Sequence, residues 1–140
     1  MTFTQAIRSG FANYVNFSDR ACRSEFWFWV LFTFVASFVL GFIDGFVIAM
    51  QGDSPEDRLH VLGTLFSLAV LLPSIAVSIR RLHDIDFKGW WYLIWFTVIG
   101  IPVLLIMFCL KGTDGPNRFG PDPLAMPEPD DQGFGNRASV

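Results

Sequence analysis

The sequence predicts an all-α membrane protein with three transmembrane helices. Three predominantly apolar runs of 25, 19 and 21 residues occupy positions 26–50, 61–79 and 90–110 of the 140-residue chain. Each run reaches the roughly 18–20 residues that a helix needs to cross a hydrocarbon core about 30 Å thick. Only 16% of the residues are charged, whereas soluble domains have about 25%. These observations exclude a cytosolic enzyme and a secreted disulfide domain.

The charged and metal-ligating residues exclude further classes. Ten Lys and Arg against 13 Asp and Glu give a formal net charge of −3, so no basic field exists that could hold nucleic acid. His83 with Asp84 and Asp86 is too small a set for a transition-metal site. The other histidine, His60, is predicted on the opposite membrane face. We therefore expect no metal and no cofactor.

Residues 1–25 are predicted to form a short amphipathic helix and a charged junction. Apolar side chains recur at the spacing of one helical face: Phe3, Ile7, Phe11, Tyr14 and Val15. We interpret this segment as an interfacial helix that lies on the bilayer. An ordinary helix docked against the membrane spans fits the same pattern equally well.

The membrane domain is predicted over residues 26–111. Gly41 and Gly45 form a GxxxG pattern in the first span, and Gly63 and Ser67 begin a stripe of small residues in the second. Small residues let helices approach each other closely in lipid. Because three spans seldom enclose a pore alone, we expect a homo-oligomer or a partner membrane protein.

The third span contains a break, and a flexible segment follows it. Glycine and proline at positions 100 and 102 interrupt the apolar run. A hairpin of two full crossings does not fit into 21 residues, so we expect one kinked span. Residues 112–140 hold five of the eight prolines, and this composition predicts a flexible tail that is disordered at its end.

An odd number of spans assigns the polar segments to two membrane faces. Residues 1–25 and 80–89 fall on one face, and residues 51–60 and the tail fall on the other. The first face collects all five tryptophans and six of the ten basic residues. By the positive-inside rule we predict that this face, with the N-terminus, is cytoplasmic.

Seven residues on the first face form a candidate site. They are Arg20, Arg23, Glu25, Arg80, Arg81, His83 and Asp84. Guanidinium groups can hold a phosphate or carboxylate, such as an anionic lipid headgroup, and histidine titrates near neutral pH. The alternative is a basic stop signal that contacts the membrane surface without further function.

Asp44 is the acidic residue inside an apolar run. A carboxylate at the centre of a bilayer costs about 2.5–3.5 kcal/mol and is a functional candidate. Eighteen residues beyond Phe26, Asp44 is predicted about 27 Å along a core of about 30 Å. This depth places it near the far interface and favours a structural or capping role over an ion relay.

Three motifs, in order along residues 10–123, resemble a known family. They are FSDRACRSEFWFWVLF, PSIAVSIRRLHDIDFKGWWYLI and KGTDGPNRFGPDP. Together they resemble the family named domain of unknown function 805, which comprises small bacterial inner-membrane proteins. The resemblance adds a possible tail motif of Asn117, Arg118, Phe119 and Asp122. It also implies an ion-pair network between the first two spans, in which Glu25 pairs with Arg80 or Arg81, and it leaves ligand binding open.

The resemblance implies location and fold, and it transfers no activity. We predict an integral inner-membrane protein that acts as a non-enzymatic assembly or binding module through its Arg/Trp-rich face. A subunit of a small-solute or ion transporter or channel, with Asp44 in its pathway, is the alternative. A membrane enzyme that acts on an anionic lipid or polyprenyl phosphate, with His83 as acid and base, is the third reading.

Overall fold

The computed structural model describes residues 1–51 and 61–125, which fold into four α-helices and one 3₁₀ helix. The α-helices are α1 (Phe3–Ala12), α2 (Arg23–Gln51), α3 (Val61–Asp84) and α4 (Gly100–Cys109), and the 3₁₀ helix (Gly89–Phe96) lies between α3 and α4. Residues 52–60 of the predicted polar segment 51–60, which include His60, lie outside the described residues, as does the end of the tail at 126–140.

Helices α2 and α3 are the two that are long and apolar enough to cross a membrane within the described residues. Their 29 and 24 residues correspond to about 43 and 36 Å at 1.5 Å per residue. They pack antiparallel, since Trp29 Nε1 near the start of α2 donates to Ser74 Oγ in the second half of α3 at 3.1 Å. Most of their surface is exposed, as expected for helices that face lipid.

The third apolar run does not form the predicted single span. It folds into the 3₁₀ helix and α4, of 8 and 10 residues, which extend only about 16 and 15 Å. Its far end returns to the charged end of α3, because Arg81 donates from Nε to Phe108 O at 3.2 Å and from Nη2 to Leu110 O. The run is therefore a hairpin whose two ends both lie at the charged end of α3.

Residues Thr97 and Gly100 explain the turn at the tip of this hairpin. The Thr97 hydroxyl donates to Ile94 O at 2.8 Å and accepts from Gly100 N at 3.0 Å, which satisfies backbone groups that lipid cannot. A Cβ at Gly100 would lie 1.7 Å from Ile94 O, so the close approach of the chain requires glycine. The glycine that predicted a kink thus marks a reversal of direction.

The prediction of a flexible tail from residue 112 does not hold for the first part of that segment. Thr113 N donates to Asp84 O at 2.8 Å, and Asn117 and Gly120 exchange two backbone hydrogen bonds. This segment lies on the face that carries the end of α3, whereas a third span would have placed it on the other face. The structure brings residues 19–25, 80–86 and 112–122 together, whereas the two-face assignment separated the tail from the other two segments.

Helix α1 begins with a capping box formed by Thr2 and Gln5. Its small residues Ala6 and Gly10 are buried, and a Cβ at Gly10 would lie 2.2 Å from the indole of Trp29 in α2. Beyond its end, the Tyr14 hydroxyl donates to Ala69 O in α3. These contacts favour the docked helix over one that only lies on the bilayer.

The apolar core lies in the half of the bundle that adjoins the charged residues. Trp29, Val77, Leu82, Leu104 and Phe108 are each at most 3% exposed and join α2, α3 and α4. The predicted packing glycines lie elsewhere, since a Cβ at Gly41 or Gly45 would meet nothing within 4 Å. These two glycines therefore make no close helix contact inside the described chain.

Candidate functional site

Five buried charged side chains form one cluster at the shared face. Arg20, Glu25, Arg80, Arg81 and Asp84 are each at most 6% exposed. They come from the segment before α2, the first turn of α2 and the last turns of α3. We call these five residues the charge cluster. Its position, where three segments converge, makes it the candidate site.

Asp84 accepts from two arginines at the centre of the charge cluster. Arg20 Nη2 lies 3.0 Å and Arg20 Nε 3.1 Å from Asp84 Oδ1, so one guanidinium edge contacts this oxygen. Arg81 Nη1 pairs with Asp84 Oδ2 one turn earlier on α3. Both carboxylate oxygens are thus occupied by protein donors, a geometry that makes charge-assisted hydrogen bonds strong.

The remaining guanidinium donors of Arg20 bind the C-terminal segment. Nη1 donates to Gly115 O at 2.6 Å, and Nη2 donates to Thr113 O at 2.6 Å. A planar guanidinium presents several donors in a fixed fork, so one side chain can join α3 and this segment. Gly112 allows the approach, since a Cβ there would lie 2.1 Å from Asp84 Oδ2.

Glu25 and Arg80 form the second pair of the cluster, the ion pair that the resemblance implied. Arg80 Nη1 lies 3.0 Å from Glu25 Oε1, and Ser9 Oγ of α1 donates to the same oxygen at 2.8 Å. Among the described residues, Arg80 Nε and Nη2 have no hydrogen-bond partner although they are buried. This pair therefore joins α1, α2 and α3.

His83 lies beside the charge cluster, between two neighbouring segments. Its ring stacks on Phe119 with 3.9 Å between centroids and 2° between planes. Its Nδ1 lies 3.3 Å from Asp19 O. Since a carbonyl oxygen only accepts, Nδ1 carries the proton in this contact.

The tail motif folds as a docked loop against the end of α3. Asn117 Nδ2 donates to His83 O at 2.9 Å, and Asn117 Oδ1 accepts from Phe119 N at 2.9 Å. Arg118 Nε lies 3.0 Å from Asp86 Oδ1 on the exposed surface. The structure thus brings the second and third sequence motifs together.

Asp122 closes this loop through its carboxylate. It accepts from Leu124 N at 2.8 Å and from Gly115 N at 3.1 Å. These two N–H donors hold the pKa of the Asp122 carboxyl below its ordinary value, because hydrogen bonds to the charged form favour it. The carboxylate therefore stays ionised at neutral pH and fixes the turn that presents Gly115 O to Arg20.

Two other sequence candidates are not members of the charge cluster. Arg23 is exposed at the start of α2. Asp44 is buried near the far end and accepts from Gly63 N at 2.9 Å and from Leu62 N at 3.4 Å. It therefore caps the N-terminus of α3 from the neighbouring helix, a contact that agrees with the capping role. Ser67, predicted for packing between helices, bonds instead to Gly63 O of its own helix.

Gly112, Thr113 and Gly115 lie in the third sequence motif, but the sequence analysis did not name them among the candidate site residues. Thr113 and Gly115 act through backbone oxygens that accept from Arg20. Gly112 acts through its small volume beside Asp84, and Gly115 also has a positive φ of 75°. A hydroxyl or a glycine gives a weak signal by itself. The sequence signal for this segment is the motif GPNRFGPDP at residues 115–123.

The fold and the charge cluster define a small helical membrane protein whose N-terminal and C-terminal segments are joined at one face. The family described as "Protein of unknown function (DUF805)" matches residues 14–121. The chain belongs to this family, as its motifs predicted.

Curated relatives agree with this assignment. "Inner membrane protein YhaH" of Escherichia coli K12 is 40% identical over 116 residues, which cover 82% of this chain and 93% of the relative. "Inner membrane protein YhaI" of the same strain is 41% identical over 112 residues, 79% of this chain and 88% of the relative. "Uncharacterized protein YiiR" is 26% identical over 134 residues. No solved structure matches the chain.

Proposed function

We propose that the protein is an integral inner-membrane protein that acts as a non-enzymatic assembly or binding module. The carrying observation is that the buried charges bind the chain itself. Arg20 and Arg81 share Asp84, and both also donate to backbone carbonyls. A catalytic or phosphate-binding arginine needs free donors at its ligand. The donors of Arg20 and Arg81 instead join protein segments, and the two unpartnered donors of Arg80 are buried beside Glu25.

The working surface of this module is the exposed rim around the charge cluster. Three tryptophans are at least 38% exposed there: Trp27, Trp90 and Trp91. Exposed cations accompany them, namely Arg8, Arg23, Lys88, Lys111 and Arg118. Tryptophan and basic side chains suit the membrane–water interface. The partners that match this rim are anionic lipid headgroups and a second membrane protein or a second copy of the chain.

The charge distribution supports a cytoplasmic orientation of this face. We infer that the third apolar run is re-entrant. Eight of the ten basic residues then fall on one side: Arg8, Arg20, Arg23, Arg80, Arg81, Lys88, Lys111 and Arg118. The segment between α2 and α3 contains Arg58 alone against three acids. The positive-inside rule then assigns the N-terminus to the cytoplasm. The names of YhaH and YhaI support an inner-membrane location.

Native mass spectrometry of gently extracted protein tests the module. We expect a defined homo-oligomer or a complex with a second membrane protein. Trp91→Ala and Arg23→Ala should lower the share of this complex, because both side chains lie on the rim. Phe34→Ala is the control, since Phe34 is 69% exposed on α2 away from that rim.

A monomer without any protein partner, both after extraction and after cross-linking in intact membranes, would contradict the proposal. A complex that forms equally well with Trp91→Ala and Arg23→Ala, but not with Phe34→Ala, would place the interface on α2 instead. Either result leaves the fold and the charge cluster unaffected.

A further inference from the structure

A groove between α3 and the 3₁₀ helix lies beside the charge cluster. It has a volume of about 540 Å³, which is within the usual range of small-molecule sites, about 300–1,000 Å³. One wall follows Ile75, Ile79 and His83 of α3, and the other includes Trp90 and Phe96 of the 3₁₀ helix. From Ile75 to His83 the helix rises about 12 Å, so the groove runs from the membrane face toward the apolar interior.

His83 supplies a polar group to this groove. Its side chain is 93% buried, and Nδ1 faces Asp19 O at 3.3 Å. The neutral ring therefore carries its proton on Nδ1 and leaves a lone pair on Nε2. Within the described residues, Nε2 has no hydrogen-bond partner. It is an accessible acceptor of a buried histidine that lines an open groove.

Gly89 keeps the polar end of the groove open. A Cβ at this position would lie 3.5 Å from His83 Nε2 and 2.8 Å from Ile79 Cγ2. A methyl group would thus occupy the space in front of the imidazole nitrogen. The absence of a side chain here is what gives a ligand access to Nε2.

The lining also indicates the charge and shape of the ligand. The described residues of the groove include no Arg, Lys, Asp or Glu, so it lacks a counter-charge for a phosphate headgroup. Aromatic rings of Phe17, Trp90, Tyr92 and Phe96 line it. Trp90 and Phe96 are 78% and 82% exposed, so the groove opens sideways toward lipid. An uncharged, flat, hydroxylated ring with an apolar tail fits these features.

We propose that this groove binds an isoprenoid quinol, with a ring hydroxyl donating to His83 Nε2 and the prenyl tail following α3 toward Ile75. The ring lies among the aromatic side chains, which favour offset or edge contacts with it. The oxidised quinone has carbonyls in place of hydroxyls and cannot donate to the Nε2 lone pair. The site therefore distinguishes the reduced from the oxidised form. This binding is independent of the assembly proposed above.

The test uses the full-length protein in nanodiscs of phosphatidylcholine, titrated with a ubiquinol that has a ten-carbon tail and is kept reduced under argon. Native mass spectrometry reports the bound mass. We expect one quinol per chain and about tenfold weaker binding of the oxidised form, the effect of one lost hydrogen bond to the imidazole. Dioctanoylglycerol and phosphatidylglycerol serve as competitors and should not displace the quinol.

Two variants fill opposite ends of the groove. Gly89→Ala blocks His83 Nε2, and Ile75→Trp fills the apolar end without touching the histidine; each should weaken quinol binding at least about tenfold. Phe34→Ala on α2 should bind as the wild type does. If Gly89→Ala fails to fold, Ile75→Trp still tests quinol binding, because Ile75 is partly exposed and the larger side chain can be accommodated. Wild-type binding in Ile75→Trp, or displacement of the quinol by either competitor, would overturn the proposal.

Discussion

Arg20 and Asp84 are 64 positions apart, and Nη2 of the arginine lies 3.0 Å from Oδ1 of the carboxylate. The same guanidinium donates to Thr113 O and Gly115 O. A residue that precedes α2 thus fixes the end of α3 and the segment after α4. This contact joins the N-terminal and C-terminal segments of the described chain at the end of α3.

Loss of the Arg20 side chain should release the C-terminal segment. In Arg20→Ala the carbonyls of Thr113 and Gly115 lose their buried donors, while Asp84 keeps Arg81. We expect trypsin to cleave after Lys111 and Arg118 about tenfold faster, which corresponds to about 1.4 kcal/mol of lost docking free energy. Arg20→Lys retains the charge without the planar fork and should lie between the two. Equal cleavage rates in all three proteins would contradict this role.

Removal of one partner of the Glu25–Arg80 pair should lower the free energy of unfolding more than replacement of both partners does. Glu25→Ala leaves a buried guanidinium without its carboxylate, which costs about 3–5 kcal/mol. Replacing both residues by Met removes both charges, and we expect the free energy of unfolding to recover to within about 1 kcal/mol of the wild type. Denaturant unfolding in detergent measures both. A double variant as unstable as Glu25→Ala would refute the argument.

Asp44 should behave as a helix cap and not as part of an ion pathway. Asp44→Ala removes the acceptor of Gly63 N and should destabilise the protein by about 0.5–2 kcal/mol, the usual cost of a lost cap. Asp44→Asn keeps an acceptor oxygen and should cost less. Amide hydrogen exchange at Leu62 and Gly63 should rise in the alanine variant. Unchanged exchange there, or an ion flux in liposomes that Asp44→Asn alters, would argue for the transporter alternative.

Substitution by alanine should destabilise the protein at Gly112 but not at Gly41. Gly112→Ala places a Cβ 2.1 Å from Asp84 Oδ2 and should destabilise the charge cluster by about 1–3 kcal/mol. Gly41→Ala meets nothing within 4 Å and should be neutral or stabilise α2 by up to about 1 kcal/mol. Thermal unfolding of the monomer in detergent compares them. If Gly41→Ala leaves the monomer intact and yet dissociates an oligomer, the GxxxG pattern is an intermolecular contact.

Much of the fold follows from patterns that are local in the sequence. The amphipathic pattern of α1 and the long apolar runs of α2 and α3 depend on neighbouring residues, and the structure contains these three helices. Of the two arginines that the resemblance offered to Glu25, Arg80 pairs with it. Arg81 pairs instead with Asp84 of its own helix. Spacing along one helix cannot decide between these two carboxylates.

The contacts of the candidate site that the sequence could not indicate are those in which an arginine binds a backbone carbonyl. Arg20 binds Thr113 O and Gly115 O, and Arg81 binds Phe108 O and Leu110 O. Every residue has a carbonyl, so no residue type marks these acceptors. The length of 21 apolar residues also fits one crossing or a short re-entrant hairpin, and only the contact of Arg81 with the end of α4 distinguishes them.

Membrane topology gives the most direct test of this hairpin. In a variant without Cys22 and Cys109, single cysteines replace Lys88, Asp114 and Met50, which are exposed. An impermeant maleimide should label positions 88 and 114 from the same side, and position 50 from the opposite side. By the positive-inside rule the shared side should be accessible in inverted vesicles and protected in intact spheroplasts. Labelling of position 114 together with position 50 would restore three full spans, and it would be incompatible with the bond from Arg81 to Leu110 O.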